Sequence, residues 1–123
     1  MAAIEVLSKR GRGLHIVAQN LIEVWVVATR PIAQNGLGLA PQSAEAELKR
    51  IKTMFGFLPE TPAIYPVWEG LVTRHKVSGK SAHDARLVAA MQVHGLTAIL
   101  TFDRSDFARY PEIEVVHPQD LKR

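Results

Sequence analysis

The sequence predicts an α/β domain with a mainly parallel sheet, and three observations carry that prediction. Short apolar runs rich in β-branched residues recur at "LHIVA" (14–18), "TAILTF" (97–102) and "IEVVHP" (113–118). Longer stretches of helical period lie between the first two. Strands that alternate with helices pair side by side, because each intervening helix carries the chain back across a sheet face. With 123 residues the chain is read as a single domain, 1–123, long enough to bury a real core.

Taken in order, residues 2–10 carry helix formers and stop at "GRG", which predicts a short opening helix. "LHIVA" is a short buried strand. Residues 20–29, within "NLIEVWVVATRP", are apolar almost all round until Pro31, so a buried helix is expected there. "QNGLGLAPQ" is a loop punctuated by Gly and Pro. From Pro41 the apolar positions Ala44, Leu48, Ile51 and Phe55 step by four, three and four, the spacing of a one-faced surface helix. Glu45 and Lys49 support it at i,i+4. "FGFLP" suits a short strand, and a helix from about Pro66 to His75 turns Val67, Trp68, Leu71 and Val72 inward. "KVSGKS" is a loop. Ser81 is the expected N-cap of a helix running to His94, with Asp84 near a capping-box position and Gly95 as the stop. "TAILTF" is a strand, "RSDFARY" a short helix or turn, and "IEVVHP" the last strand.

Composition narrows the function. The chain has no cysteine, so thiolate metal sites and disulfides are impossible, and a cytoplasmic home is expected. No stretch approaches the roughly 20 apolar residues of a membrane span. A formal charge of +3 suits a polyanionic partner such as RNA. His15, His75, His83, His94 and His117 are scattered with no H-x-x-x-H pair, which argues against zinc. "NGLGLAP" lacks the spacing and the following Lys-Ser or Lys-Thr of a phosphate loop.

The acids are the informative residues. Glu23 interrupts an apolar helix, Asp84 opens a helix of Ala, Leu, Val and Met, and Asp103, with Asp106 behind it, follows a strand. A buried carboxylate must be hydrogen-bonded, neutralised or paired. Each has a local reading: Asp84 favours the helix dipole by about 0.3–1 kcal/mol, Asp103 opens a turn, and Asp106 pairs with Arg109 at i+3. The collective reading sets them together at the carboxyl edge of a parallel sheet, where function gathers. Hard oxygen donors so grouped suit Mg²⁺ or Mn²⁺.

"VSGKSAHDARLVAAMQVHGLTAILTFDRSDFARYPEIEVVHP" (77–118) resembles the C-terminal half of a PIN domain of the VapC-like toxin type. The "HDA" helix start, the "LTF" strand end and the "DRSDFARYP" turn occur in the order and spacing of that family. "AQNLIEVWVVATRP" (18–31) is similar to its segment carrying a metal-site glutamate. The resemblance implies a three-layer α/β/α sandwich and a divalent-metal endoribonuclease that cuts RNA. By position, Glu23, Asp84 and Asp103 become catalytic metal-site carboxylates, Asp106 a further ligand candidate, and Thr101 a supporting hydroxyl. It also implies an antitoxin protein as partner. The alternative is a catalytically inactive PIN-like module that binds RNA or protein.

PIN domains open with an apolar strand ending in an aspartate, and nothing in this chain matches it. The fold is therefore expected to be incomplete at its N-terminus, with "LHIVA" and "TAILTF" left without a shared neighbour. Unpaired strand edges favour association with another copy, so a homo-oligomer with a weakened metal site is expected.

Overall fold

The architecture is taken from a computed structural model that describes residues 6–8, 14–101 and 103–117. Five short strands form one sheet in the order β3-β2-β1-β4-β5. They are β1 (Val6–Ser8), β2 (Leu14–Val17), β3 (Gly56–Leu58), β4 (Ala98–Leu100) and β5 (Glu114–Val116). The helices are α1 (Ala18–Thr29), α2 (Pro41–Met54), α3 (Ile64–Arg74) and α4 (Ser81–Val93). β2 pairs with β3, and β4 with β5, in parallel. β1 runs antiparallel to both β2 and β4. Four strands therefore share one direction, and the central strand is reversed.

Alternation along β2 makes the three layers. Ile16 packs with Leu21 and Ile51, from α1 and α2. Val17, the next residue, joins Ile64, Leu71, Leu87, Val88 and Met91 of α3 and α4. Successive strand residues point to opposite faces, so one helical pair covers each side of the sheet. The chain is an α/β/α sandwich, as the resemblance implied.

β1 overturns two expectations. Residues 6–8 form a strand where a helix over 2–10 was expected; the rest of that expected helix lies outside the described residues. They also supply the neighbour that β2 and β4 were expected to lack, with Leu7 opposite both His15 and Ile99. Two facing strand edges offer backbone partners to any extended segment between them. Burying those groups unpaired costs more than the few tenths of a kcal/mol per residue by which helix propensities differ.

α1 is the second correction. It stops at Thr29, just before Pro31, as expected, but it is not buried all round. Leu21 and Ala28 are buried, while Ile22 is 62% exposed and Trp25 and Val26 are also exposed. One helix face meets the sheet and α2; the other has nothing on it among the described residues. The expected α2 is present, with Ala44 and Ile51 buried, Leu48 and Phe55 half-buried, and Glu45 3.8 Å from Lys49. The Gly-Pro loop turns back onto α1: the N–H groups of Leu37 and Leu39 donate to the carbonyls of Val27 and Ala28. Gly36 is required there, since a Cβ would lie 2.0 Å from the Arg30 carbonyl oxygen.

Candidate functional site: an acidic edge at the carboxyl ends of the strands

The site begins where β2 runs into α1 with no turn between them. Val17 caps the helix but has no polar side chain to do so. Instead Asn20, itself buried, accepts the Val17 N–H at 2.8 Å through Oδ1. That is half of a capping box, with the N3 side chain reaching back to the cap. Sequence reasoning missed it, because Asn at the third helical position reads as an ordinary polar residue.

One residue earlier, Gln19 donates through Nε2 to the His83 carbonyl at 2.6 Å. This bond ties the first turn of α1 to the first turn of α4. Glu23 follows Gln19 by four residues, one helical turn further along the same face. Its side chain is exposed rather than enclosed by apolar neighbours.

α4 starts differently from expectation. Lys80 is its N-cap, in helical geometry, and Ser81 is the first helical residue with no capping hydrogen bond. The N–H groups of Ala82 and His83 donate to the carbonyls of Gly79 and Lys80. The preceding turn thus satisfies donors that a Ser hydroxyl would otherwise take. Asp84 follows in the first turn, half-buried. The helix then buries Ala85 and every residue from Leu87 to Met91, and stops at Gly95, whose φ of 72° favours glycine.

Asp103 is set by the end of β4. Thr101 is buried, and its Oγ1 accepts the Asp103 N–H at 3.0 Å, which bends the chain directly after the strand. A single 3₁₀ turn, Arg104–Asp106, then brings round Asp106, half-buried, beside the exposed Asp103. Two aromatic residues on its far side hold the turn in place. Phe107 and Tyr110 are buried to within 1% of full enclosure and plug the core, so the acids sit on an anchored loop. The expected Asp106–Arg109 ion pair does not form. Among the described residues the ion pairs are Lys49–Glu45, Arg50–Glu47 and Arg86–Glu60, none of which includes any of these four acids.

Electrostatics shows the acids act on one another. The Asp84 carboxyl is raised from 3.8 to about 6, first by burial, then by the charge of Asp106, then by that of Asp103, with Glu23 adding a smaller push and His83 opposing. Like charges raise a carboxyl only when they lie close. Acids from α1, α4 and the turn after β4 thus share one field, although they are 61 and 19 residues apart along the chain (23 to 84, then 84 to 103). Tyr110 belongs to the same neighbourhood. Its hydroxyl is pushed up by burial and by Asp84, against Arg109. That hydroxyl is buried with no hydrogen-bond partner among the described residues, and its ring meets His75 edge-on at 5.0 Å. Nothing in the sequence singled out Tyr110, because a Tyr behind a turn reads as core.

The donors suit a hard cation: anionic oxygens, a field that disfavours ionisation of Asp84, and a hydroxyl fixing the backbone of Asp103. Among the described residues, however, no three Asp, Glu or His side chains close into a metal-ligating group. Mg²⁺ keeps several waters and needs only one or two carboxylates, so the donor set fits such an ion through its chemistry. Among the described residues no helix is long and apolar enough to cross a membrane.

The family model described as PIN domain matches residues 1–113, nearly the whole chain. No curated protein matches it.

Proposed function

The chain belongs to the PIN domain family, whose members are generally nucleases, and from that premise we propose that it is a divalent-metal-dependent endoribonuclease of the VapC-like toxin type. The observation that carries the proposal is the raised Asp84 carboxyl at the carboxyl edge of the sheet, where burial acts first and the charges of Asp106, Asp103 and Glu23 add to it. Acids crowded this way repel each other unless a cation offsets them.

In this reading Glu23, Asp84, Asp103 and Asp106 hold Mg²⁺ or Mn²⁺. When bound, the ion lowers the pKa of a water and offsets charge developing on the phosphate. The chain's own residues do the rest. Thr101 fixes the backbone at Asp103, and Gln19 keeps the first turns of α1 and α4 in register so that Glu23 and Asp84 face one site. With its carboxyl near 6, Asp84 retains a proton on part of the molecules just below neutral pH, and cation and proton compete for its oxygens.

RNA cleavage with Mn²⁺ or Mg²⁺ tests this directly. Activity is expected to vanish in EDTA, to be largely lost in Asp84→Asn, and to fall about tenfold in Thr101→Val, as for other supporting partners of metal ligands. Cleavage that survives EDTA would overturn it. An antitoxin protein as partner, a cytoplasmic home and a homo-oligomer complete the proposal; since β1 fills the place between β2 and β4, assembly would rest on the exposed Ile22, Trp25 and Val26 of α1, with sedimentation as the check.

A second reading is favoured by one observation: no three of the acids close into a ligand group among the described residues. It is a PIN-fold module that binds RNA, or a protein, without turnover. Metal-insensitive RNA binding that weakens as salt rises would support it.

A further inference from the structure

We propose that the recess between α3 and α4, lined by Tyr65, Trp68, Ala82, His83 and Arg86, is a stacking subsite for one unpaired base of an RNA strand that passes the Asp84 edge. The inference rests on the reading of this chain as a ribonuclease and names where its substrate is gripped.

The recess is overwhelmingly apolar in its lining. Tyr65 is 61% exposed, a large cost in apolar hydration for a ring that makes no core contact of its own. It lies 5.5 Å from the Trp68 ring, tilted by 38°. Trp68 is fixed because its Nε1 donates to the Ala82 carbonyl at 2.8 Å, which locks the indole between the two helices. With its N–H used, Trp68 has only π surface left to offer. Two rings, one held and one exposed, make a platform for a third flat ring.

Basic side chains stand around the recess. Arg86 lies at the wall with its guanidinium positioned by an ion pair to Glu60, and His83 is exposed at the mouth. Lys76 and Lys80 are exposed on the adjoining loop. A flat apolar platform with exposed lysines on the loop beside it matches a nucleotide, which carries a π face on one side and a phosphate on the other. An acidic strand is also what the overall charge of +3 favours. His83 lines the recess and Asp84 is the next residue in the same helical turn, so one strand reaches both places within a nucleotide or two.

The test uses the full chain in EDTA, where cleavage plays no part, with a uridine hexamer as probe. Trp25→Phe leaves Trp68 as the sole indole reporter. Binding is expected to quench Trp68, and Tyr65→Ala to raise Kd about tenfold, within the range for loss of one base–aromatic stack. Tyr65→Phe should bind like the parent. On the parent protein, scanning one abasic position along the hexamer should at some position raise Kd by a similar factor, and at that position Tyr65→Ala should cost nothing further. Unchanged Kd in Tyr65→Ala, no position sensitive to base removal, or no Trp68 quench would each overturn the subsite. If these fail while Asp84→Asn still abolishes metal-dependent cleavage, the subsite is wrong and the nuclease reading stands. If they hold while no metal supports cleavage, the nuclease reading fails and the subsite stands.

Discussion

The two helical layers of this sandwich are unequal. On the α3–α4 face, Leu71, Leu87, Val88 and Met91 pack with Ile99, Phe107 and Tyr110 into a continuous, fully enclosed core. On the α1–α2 face, among the described residues, the buried cluster is Ile16, Leu21 and Ile51, with Val24, Leu48 and Phe55 half-covered. Ile22, Trp25 and Val26 of α1 remain exposed. The heavy layer carries Asp84 and anchors the turn bearing Asp103 and Asp106; the light layer carries Glu23 alone. The acidic edge thus spans a rigid side and a lightly held one, and Glu23 is the acid whose position depends on the weaker packing.

Truncation should separate the layers most sharply. Leu87→Ala, in the heavy layer, is expected to cost about 3–5 kcal/mol, and Leu21→Ala, in the light one, about 2 kcal/mol. Urea unfolding measures both, and equal losses would erase the contrast. Ile22→Ser, on the exposed face, should change stability by no more than about 0.5 kcal/mol.

A smaller effect of opposite sign is expected at Asp84. Its carboxyl is raised in the folded state, from 3.8 to about 6. Below pH 3.8 the group is protonated in both states and costs nothing. Between there and about pH 6 the unfolded chain ionises first, so stability falls as pH rises; above that range the loss is complete. Asp84→Asn removes the penalty. It should raise Tm by about 5 °C at pH 7.5, with the gain fading toward pH 4. A gain that is independent of pH would mean that crowding of charge is not its source.

Least is expected from Gln19→Ala. Losing one bond between the first turns of α1 and α4 should cost about 0.5–1 kcal/mol. It should weaken the influence of Glu23 on Asp84 while leaving that of Asp106 intact. A Glu23→Gln shift in the Asp84 titration that is the same with and without Gln19 would show that the bond does not position the light layer.

What the sequence revealed divides along the same line. α2 was legible because Ala44, Leu48, Ile51 and Phe55 repeat at helical spacing, and the stop at Gly95 because only glycine sits easily at that φ. The turn after β4 was legible because Thr, Asp and a plugging Phe follow an apolar run. β1 was not legible. Its pairing comes from two strands far along the chain, and no local pattern in residues 6–8 announces a vacant place between them. The exposure of α1 was hidden for a related reason: its residues are apolar on both sides, so periodicity gave no face to choose. Ser81 misled because the Gly79–Lys80 turn had already met the donors it was expected to cap. The grouping of Glu23, Asp84, Asp103 and Asp106 was inferred from residue type and resemblance; the charges of the other three reach Asp84, but among the described residues they close into no ligand group.

The most direct measurement is the titration of the Asp84 side-chain carboxyl by ¹³C NMR, without metal and then with saturating Mg²⁺. If the four acids share one cation site, the metal-free carboxyl titrates near 6, falls in Asp106→Asn, and is driven well below 6 by Mg²⁺. A carboxyl that titrates near 3.8 and ignores both the neighbouring substitution and the ion would contradict the account.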